Sequence, residues 1–542
     1  MMAPLAHSNW GRIRFRNPAA FYAGCTAIVV GVLMHMPTFI SARSMHYKLV
    51  GMPMDGLMVL GMALIVVGLL LAAYGVTPAA LPTSSARAHQ DHSYSIRALD
   101  DAPLGATHWT LIVVLAVALI IDIMKPASLA FVVPGMGKEY GLSKSTVAWL
   151  PFFGLTGTTV GSFLWGWLGD RIGRRATVLL AAMIFVGTAI CGAMPAFGWN
   201  LFMCFVMGLS AGGLLPITIA LLSELLPVRH RAPLVVLLGG IGAVGGYLVA
   251  SGSATLLEPT FGWRIMWLLG LPTGLLLLLL NRYIPESPRF LLAQGRVEEA
   301  DQILQHFGAG AVREGAVAPA ARDTGASTRT GIMPLFRAPS YLAQTLAVTL
   351  YGLAWGLVNY GFFLWLPSNL RHAGFGVKAS DAILAQSALV AFPAVLLVAW
   401  LYSRWSSKKS MVLFSLLTAL ALLAFVPLAA EAHQHTLLLT VFLVALLISS
   451  TGMTSTLSPY SAEVYPTKVR ATGAGLAAGA GKLGGLVGIG AVLAHVTPTL
   501  ALSALLVVAP VVLAMLVLGA KGIETRGRRL EDTSALVPEP AV

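Results

Sequence analysis

A carboxylate and an amine stand three residues apart in an otherwise apolar stretch, at Asp122 and Lys125. Residues with this spacing share one face of a helix, and the adjacent Pro126 removes a backbone donor, so we expect a kink. A charge within a bilayer costs about 2.5–3.5 kcal/mol, which indicates a cavity or a partner. Either Asp122 binds and releases a proton while Lys125 alternates between Asp122 and an anionic substrate, or the two form a permanent structural salt bridge.

Further candidate binding groups lie later in the chain. Lys482 stands in a glycine-rich apolar stretch, where it either binds a carboxylate or extends its amine to the membrane surface. Trp355 and Asn359 are four residues apart, share a helix face and are followed by Tyr360. Such rings and amides suit the stacking and hydrogen bonding of a small ring, although membrane aromatics also serve in packing. We predict a substrate site formed by Lys125, Trp355, Asn359, Tyr360 and Lys482.

The composition indicates what kind of protein must position these groups. Of 542 residues, 57% are hydrophobic and 11% are charged, and the mean hydropathy is +0.80. A soluble domain has about 25% charged residues, so we predict an all-α polytopic membrane protein instead. Neither a phosphate-binding loop nor metal-ligand spacing occurs in the sequence. We expect no cofactor, no metal and no nucleic-acid partner, and Asp122 lacks the second acid or nucleophile that an intramembrane enzyme needs.

The hydrophobic stretches predict about fourteen membrane-spanning helices, since each needs roughly 20 residues. Two come first, six follow, and a long polar segment separates these from six more. The predicted organisation is two extra helices in 1–78, a cytoplasmic linker in 79–108, a six-helix half in 109–283, a central cytoplasmic loop in 284–340, a second six-helix half in 341–522 and a cytoplasmic tail in 523–542.

The distribution of positive charge predicts the orientation. With both termini in the cytoplasm, 26 of the 35 lysines and arginines fall in cytoplasmic segments and seven in outer loops. This bias follows the positive-inside rule. We therefore predict a multi-pass membrane protein with both termini in the cytoplasm. We also expect it to lie in the lipid bilayer of a bacterial inner membrane and to function as a monomer.

The two six-helix halves share a short repeat at equivalent positions. The pattern E-x-x-P-x-x-x-R occurs at 224–231 and again at 463–470, each time after the fourth predicted helix of its half. This placement indicates duplication. Paired helical halves are typical of secondary transporters that work by alternating access.

The segment 166–175 joins the second and third helices of the first half and combines glycines, an aspartate and arginines. The glycines allow a tight turn and close helix packing, and the aspartate can pair with arginines at the membrane surface. The segment resembles the signature loop of the major facilitator superfamily, G-x-L-x-D-R-x-G-R-R, at every fixed position. This resemblance implies a fold of two six-helix halves.

Other segments resemble the sugar-porter and organic-ion branch of that superfamily, in particular the bacterial metabolite:proton symporters that include niacin transporters. They include the stretches at 285–289, 458–460 and 482–485, and the resemblance extends over 109–522. It implies a secondary transporter that moves a small organic metabolite, such as a carboxylate, together with a proton. A sugar, polyol or organic-cation carrier stays open, as does a non-transporting sensor on the same fold.

In this superfamily, cytoplasmic charged groups form ion pairs that hold the outward-facing state closed. The resemblance assigns this gate to Gly166, Asp170, Arg171, Gly173, Arg174, Arg175, Glu224, Arg231, Glu286, Arg289, Glu463 and Arg470. The corresponding loop of the second half, 402–409, keeps positive charge but has no aspartate, so we expect weaker gate pairing there. The two leading helices lie outside the usual twelve, and the sequence assigns them no function.

Overall fold

The computed structural model describes residues 15–77, 94–95, 103–308, 312–313, 335–336, 339–428, 434–465, 467–495 and 499–526. This part of the chain is helical apart from two-residue strands, β1 (Tyr94–Ser95) and β2 (Val312–Arg313), which pair antiparallel. Twelve of the described helices are long and apolar enough to cross a bilayer, and a bent pair makes a thirteenth span. The prediction of an all-α polytopic membrane fold is confirmed.

The two extra helices form an antiparallel hairpin. Helix α1 (Pro18–Leu33) continues into the short α2 (Met36–Ser41), and α3 (Gly56–Val76) returns along α1. Glycines recur every seven residues on the facing sides, and a Cβ atom at Gly24 would lie only 2.7 Å from the backbone nitrogen of Ala72. The helices therefore pack at a distance that only small residues permit, as in other membrane helix pairs.

The hairpin is attached to the first six-helix half. Ile65 of α3 packs beside Gly187, at the end of the third span of that half. The loop of the hairpin donates the Leu49 N–H to the Glu139 carboxylate at 3.0 Å, and the ring of Tyr47 lies 5.4 Å from that of Phe261. These contacts make the hairpin a lateral extension of the first half.

The first half contains six spans, of which the fourth is broken. Gly213 packs against the Trp165 ring, where no side chain fits, and the span consists of two short helices instead of the single long one predicted. The first span continues through Pro126 as one helix. The helices are α4 (Ala106–Tyr140), α5 (Lys144–Val147), α6 (Trp149–Ile172), α7 (Arg174–Gly187), α8 (Phe197–Ala211), α9 (Leu214–Leu225), α10 (Val228–Phe261), α11 (Ile265–Leu268) and α12 (Gly270–Leu280).

Two short helices, α13 (Pro288–Ala293) and α14 (Val297–His306), follow within the predicted central loop, and most of that loop beyond 308 lies outside the described residues. In the second half, the second span is bent by 43° beside Pro393. Its helices are α15 (Pro339–Leu357), α16 (Leu366–His372), α17 (Val377–Ala391), α18 (Ala394–Trp400), α19 (Ser407–Leu428), α20 (Thr436–Val464), α21 (Thr467–Leu493) and α22 (Leu500–Lys521).

The two halves meet along two seams. Helix α10 of the first half packs against α17 and α20, and α6 packs against α21. Within each half, glycines bring the first and fifth spans together: Gly246 of α10 lies on Ile123 of α4, and Gly356 of α15 approaches Gly481 of α21. Helices α4, α15 and α21 carry predicted site residues, and α6 faces α21 across the boundary between the halves.

The helix ends define two faces of the molecule. We call the end with Glu286, between α12 and α13, the Glu286 face, and the end with Arg371, in α16, the Arg371 face. The charge distribution of the sequence predicts that the Glu286 face is cytoplasmic.

Candidate functional site

Asp122 lies buried in α4, with 7% of its surface exposed. It forms no hydrogen bond or salt bridge with the described residues, although an ionised carboxylate normally requires partners. The charged group that acts on it electrostatically is the amine of Lys482, which comes from the other half. Asp122 is thus a buried acid with free oxygens beside the boundary between the halves.

Lys482 projects from α21 of the second half into the first half. Its amine donates to the carbonyl oxygen of Thr158 at 2.9 Å and to the hydroxyl of Ser162, both on α6. The sequence left two alternatives for this lysine. The structure does not have the one in which the amine extends to the membrane surface. The amine lies half-buried at the seam between the halves, where an anion could replace its hydroxyl and carbonyl partners.

Lys125 does not pair with Asp122, contrary to the salt bridge that their spacing suggested. Its side chain is 0% exposed and donates to the carbonyl oxygen of Phe185 at 2.8 Å and to the hydroxyl of Thr188 at 2.6 Å. Both acceptors lie where α7 ends at Gly187, and unpaired carbonyls at a helix C-terminus attract a cation. Lys125 is therefore enclosed within the first half, away from the seam.

The predicted aromatic site lies on the seventh core span, which consists of α15 and the residues that follow it, and it adjoins Lys482. The ring of Trp355 packs on Gly481, next to Lys482, and the ring of Tyr360 packs on Gly485. Residues 358–362 form a π-helical turn, a feature often found at functional sites, and the Asn359 amide donates to the Trp355 carbonyl at 3.1 Å. The indole N–H of Trp355 has no hydrogen-bond partner, so it is free to donate to a ligand.

The structure thus brings Asp122, Lys482 and the seventh-span residues to one seam and leaves Lys125 out. Sequence reasoning missed Thr158 and Ser162, which hold the Lys482 amine. Their signal was a run of hydroxyl residues among glycines at 154–162, which also suits helix packing and was not distinctive. No group of histidines, cysteines and acids in the described part of the chain is arranged to hold a metal ion.

On the Glu286 face, the carboxylate of the predicted gate residue Glu286 caps the start of α7. Its buried carboxylate accepts the backbone N–H groups of Arg174 at 2.7 Å and Arg175 at 3.3 Å. Gly173 has a φ of +101°, and a Cβ there would collide with this carboxylate. Burial raises the pKa of Glu286, while the bonds from Ser287, Arg174 and Arg175 oppose that rise.

The arginines of the signature loop make contacts within the same half. The Arg174 guanidinium donates to the Gly169 carbonyl at 3.0 Å, and that of Arg175 to the Asn281 carbonyl at 3.1 Å. Arg171 lies 4.0 Å from the ring centre of Trp167, and Arg231 donates to the Leu226 carbonyl at 3.1 Å. The side chains of Asp170, Glu224, Arg289 and Arg470 lie outside the described part, so their gate roles stay predictions.

The second half repeats this arrangement with an acid that the sequence analysis missed. Glu524 accepts the Ser407 N–H at 2.9 Å at the start of α19, together with the hydroxyls of Ser406 and Ser407. Burial acts to raise the pKa of Glu524, but the bonds from Ser406 and Ser407 outweigh it and lower the pKa. A signal was present, because an acid followed by a hydroxyl residue occurs after the last span of each half, at 286–287 and 524–525.

Glu463 belongs to the same cluster and is held by hydroxyl groups. Tyr402 donates to its carboxylate at 3.0 Å and Thr525 at 2.6 Å. Tyr460 bonds both backbone groups of Ile523, at 2.8 and 2.9 Å. The segment 523–526, placed in the tail by the sequence analysis, is therefore part of the folded second half.

Comparisons with known proteins agree with this architecture. A family model described as Major Facilitator Superfamily matches residues 111–489. The chain is 29% identical to the niacin transporter NiaP of Acinetobacter baylyi, over 72% of this chain and 87% of that protein. It is 26% identical to the 4-hydroxybenzoate transporter PcaK of the same bacterium, over 76% of this chain and 92% of that protein.

A solved structure, the inward open conformation of the xylose transporter XylE from E. coli, has the same fold, with a TM-score of 0.60 at 18% identity. The match covers 79% of this chain and 99% of the transporter. The resemblance that was inferred from the signature loop is confirmed, and the relatives are transporters, not enzymes. Since the family model matches well over half of its residues, this chain belongs to the Major Facilitator Superfamily.

Proposed function

We propose that this chain is a secondary transporter that takes up a small organic carboxylate together with a proton across the bacterial inner membrane. The observation that carries the proposal is the position of Lys482. Its amine crosses from the second half to hydroxyl and carbonyl groups of the first, close enough to Asp122 for the two charges to interact. A substrate anion bound there touches both halves at once, as alternating access requires.

The favoured substrate is an aromatic monocarboxylate such as niacin. Niacin and 4-hydroxybenzoate, named for the two bacterial relatives, each combine one ring with one carboxylate. In this chain, Lys482 supplies the cation for the carboxylate, while Trp355 and Tyr360 lie on the adjacent surface of α21 and supply rings. The unpaired indole N–H of Trp355 and the amide of Asn359 give two further polar groups for ring substituents.

Charge balance couples the substrate to the proton. Without substrate, ionised Asp122 and Lys482 together are neutral; with substrate, Lys482 and the carboxylate are neutral only when Asp122 carries a proton. Of the two remaining combinations, substrate without proton leaves a net charge of −1 and proton without substrate leaves a net charge of +1 in a poorly solvated seam, where electrostatic energies are large. Only the two neutral combinations are suited to cross between the faces, which gives symport.

This mechanism gives Lys482 the role that the sequence analysis assigned to Lys125. Lys125 is fully enclosed and occupied by the carbonyl and hydroxyl at the end of α7. It therefore acts in this proposal as a structural cation of the first half.

The proposal is tested by thermal unfolding of the purified protein with a ligand panel at pH 5.5 and 7.5. A ligand that binds the folded state raises the unfolding midpoint according to its affinity and concentration. We expect nicotinate and 4-hydroxybenzoate to stabilise the protein, more strongly at pH 5.5, and uncharged nicotinamide and xylose to have little effect.

Two variants make the test specific. Lys482→Gln is expected to remove the stabilisation by carboxylates, whereas Lys482→Arg, which keeps the charge, retains part of it. Stabilisation by xylose alone, or by carboxylates equally in the Lys482→Gln protein, would contradict the proposed substrate class.

A further inference from the structure

The Arg371 face carries a three-residue ionic cluster that the transport mechanism above does not use. Arg371 lies at the end of α16, Asp381 lies in α17, and both belong to the second half. Glu258 lies near the end of α10, in the first half. The cluster is therefore complete only when the two halves are in contact on this face.

One nitrogen atom of Arg371 serves both acids. Its Nη2 lies 3.1 Å from Oε2 of Glu258, and 3.1 and 3.2 Å from the two carboxylate oxygens of Asp381. The two acids are buried and Arg371 is largely so, with exposed fractions of 14% for Arg371, 5% for Glu258 and 0% for Asp381. Because both carboxyl groups bind the same nitrogen atom, they are held close to each other.

The surroundings supply no second cation to this cluster among the described residues. Ser380 donates to Asp381 at 3.1 Å, and Tyr247 on α10 is near enough to interact with the same carboxylate electrostatically but forms no hydrogen bond with it. Lys144 on α5 instead binds the Asn369 side chain at 3.1 Å. His372 and Lys378, the nearest charged or titratable residues along the chain, are exposed and pair with neither acid.

Two buried acids that share one guanidinium hold an excess negative charge unless one is protonated. Carboxyl groups that share one site take up and release protons as a pair. With one proton the cluster is neutral, and without it the cluster carries a net charge of −1 away from water. Since Glu258 alone belongs to the first half, the resulting repulsion acts across the boundary between the halves.

We propose that Glu258 and Asp381 form a second proton-binding site, which closes the Arg371 face when it is protonated and releases it when it is not. The inference rests on the proposed alternating access but not on the identity of the substrate. The predicted orientation places this face outside. A proton taken from the outside then closes the outer face behind the incoming substrate, in the direction that uptake requires.

The test follows closure of the Arg371 face in the purified full-length protein in detergent, without substrate. The three free cysteines, Cys25, Cys191 and Cys204, are replaced by alanine, and Ser368→Cys supplies a buried reporter on this face. Maleimide labelling of this reporter is measured from pH 5 to pH 9. The rate is divided by that of Lys378→Cys, an exposed position on the same face, which removes the intrinsic pH dependence of the thiol.

We expect the normalised labelling rate to rise with pH, by up to about tenfold per pH unit, the limit for one linked proton. Glu258→Gln removes the excess charge permanently, so its labelling stays low and independent of pH. Asp381→Asn has the same expected effect and serves if the first variant does not fold. Glu139→Gln is the matched control, because Glu139 pairs one-to-one with Arg264 inside the first half, and it keeps the wild-type profile.

A flat profile in the wild-type protein, or a profile that both neutral variants retain, overturns the inference. Asp122→Asn separates it from the proposed function. If that variant keeps the labelling transition, the proton acts at the Arg371 face; if it abolishes the transition, the sensing acid is Asp122, and the inference fails while the proposed symport stands.

Discussion

On the Glu286 face, the side-chain hydrogen bonds between described residues stay within one half, whereas on the Arg371 face two such contacts join the two halves. Glu286 binds α7 of its own half and Glu524 binds α19 of its own. Arg371, by contrast, reaches Glu258 across the boundary, and Lys144 reaches Asn369. The difference indicates that this conformation is closed at the Arg371 face. It also implies that contacts across the boundary govern the transport cycle, while contacts within a half govern stability.

The largest effect is expected for Arg371→Gln, which leaves two buried carboxylates without a cation. Breaking a buried ion pair in this way costs about 3–5 kcal/mol, enough to shift the halves apart at this face. We expect uptake into cells to fall at least a hundredfold, and labelling of the Ser368→Cys reporter to be high at every pH. Retention of uptake would show that the cross-boundary contact is dispensable. Arg371→Lys keeps the charge and is expected to recover part of the activity.

Asp122→Asn removes the electrostatic interaction with Lys482 across the boundary. The amide is permanently neutral, so substrate can bind and cross while the proton no longer accompanies it. In proteoliposomes we expect accumulation against a gradient to be lost and exchange of labelled for unlabelled substrate to continue. Accumulation driven by a pH gradient at the wild-type rate would disprove the coupling role.

Two lysines give a matched comparison of a cross-boundary contact with an internal one. Lys482→Met is expected to abolish carboxylate uptake, because the anion loses its only cation in the proposed site. Lys125→Met is expected to change stability by less than about 1 kcal/mol, since an apolar side chain replaces a buried charge whose acceptors also bind each other. Uptake and thermal midpoints measured for both variants check this. A stronger loss of uptake in the Lys125 variant would reverse the assignment.

The smallest effects are expected within the halves, for Glu286→Gln and Glu524→Gln. Each substitution weakens the hydrogen bonds that a carboxylate accepts at the start of a helix. We expect the free energy of unfolding to fall by about 1 kcal/mol for buried Glu286 and by less for the half-buried Glu524. The pH dependence distinguishes them. The pKa of Glu524 is lowered on folding, so its stabilisation is present at neutral pH and is lost on acidification. The pKa of Glu286 is raised, so its contribution is greatest at low pH and is lost as the pH rises.

Thermal midpoints between pH 4 and pH 7 measure this difference. Glu524→Gln should reduce the loss of stability on acidification, while Glu286→Gln should not. Equal pH profiles in the two variants would mean that the two helix starts are electrostatically equivalent, and uptake by either variant should stay within a few-fold of the wild type.

The sequence was sufficient to predict the helical fold and to single out Asp122 and Lys482, because charges in long apolar stretches are rare and costly. It was not sufficient to pair them. Spacing along one helix favoured Lys125 as the partner of Asp122, but the direction of that side chain is decided by unpaired groups at the end of α7. Such groups are visible only when the third span is placed beside the first.

The cluster on the Arg371 face was missed for a related reason. Glu258 and Arg371 are separated by more than a hundred residues, and each lies near the end of a span, where a charge is unremarkable. Only the packing of α10 against α17 brings them together. Glu524 was missed because an acid followed by a hydroxyl residue is a common pair. It indicates a structural role only when it is compared with the equivalent pair at 286–287 in the other half.

The glycine-lined hairpin of α1 and α3 has a consequence for how the protein is made. Its two helices form an interface with each other that needs no later span, and they precede the core spans in the chain. They are thus able to leave the translocation channel as a preassembled unit. The third core span, which follows later in the chain, can therefore pack against a surface that the hairpin forms by itself.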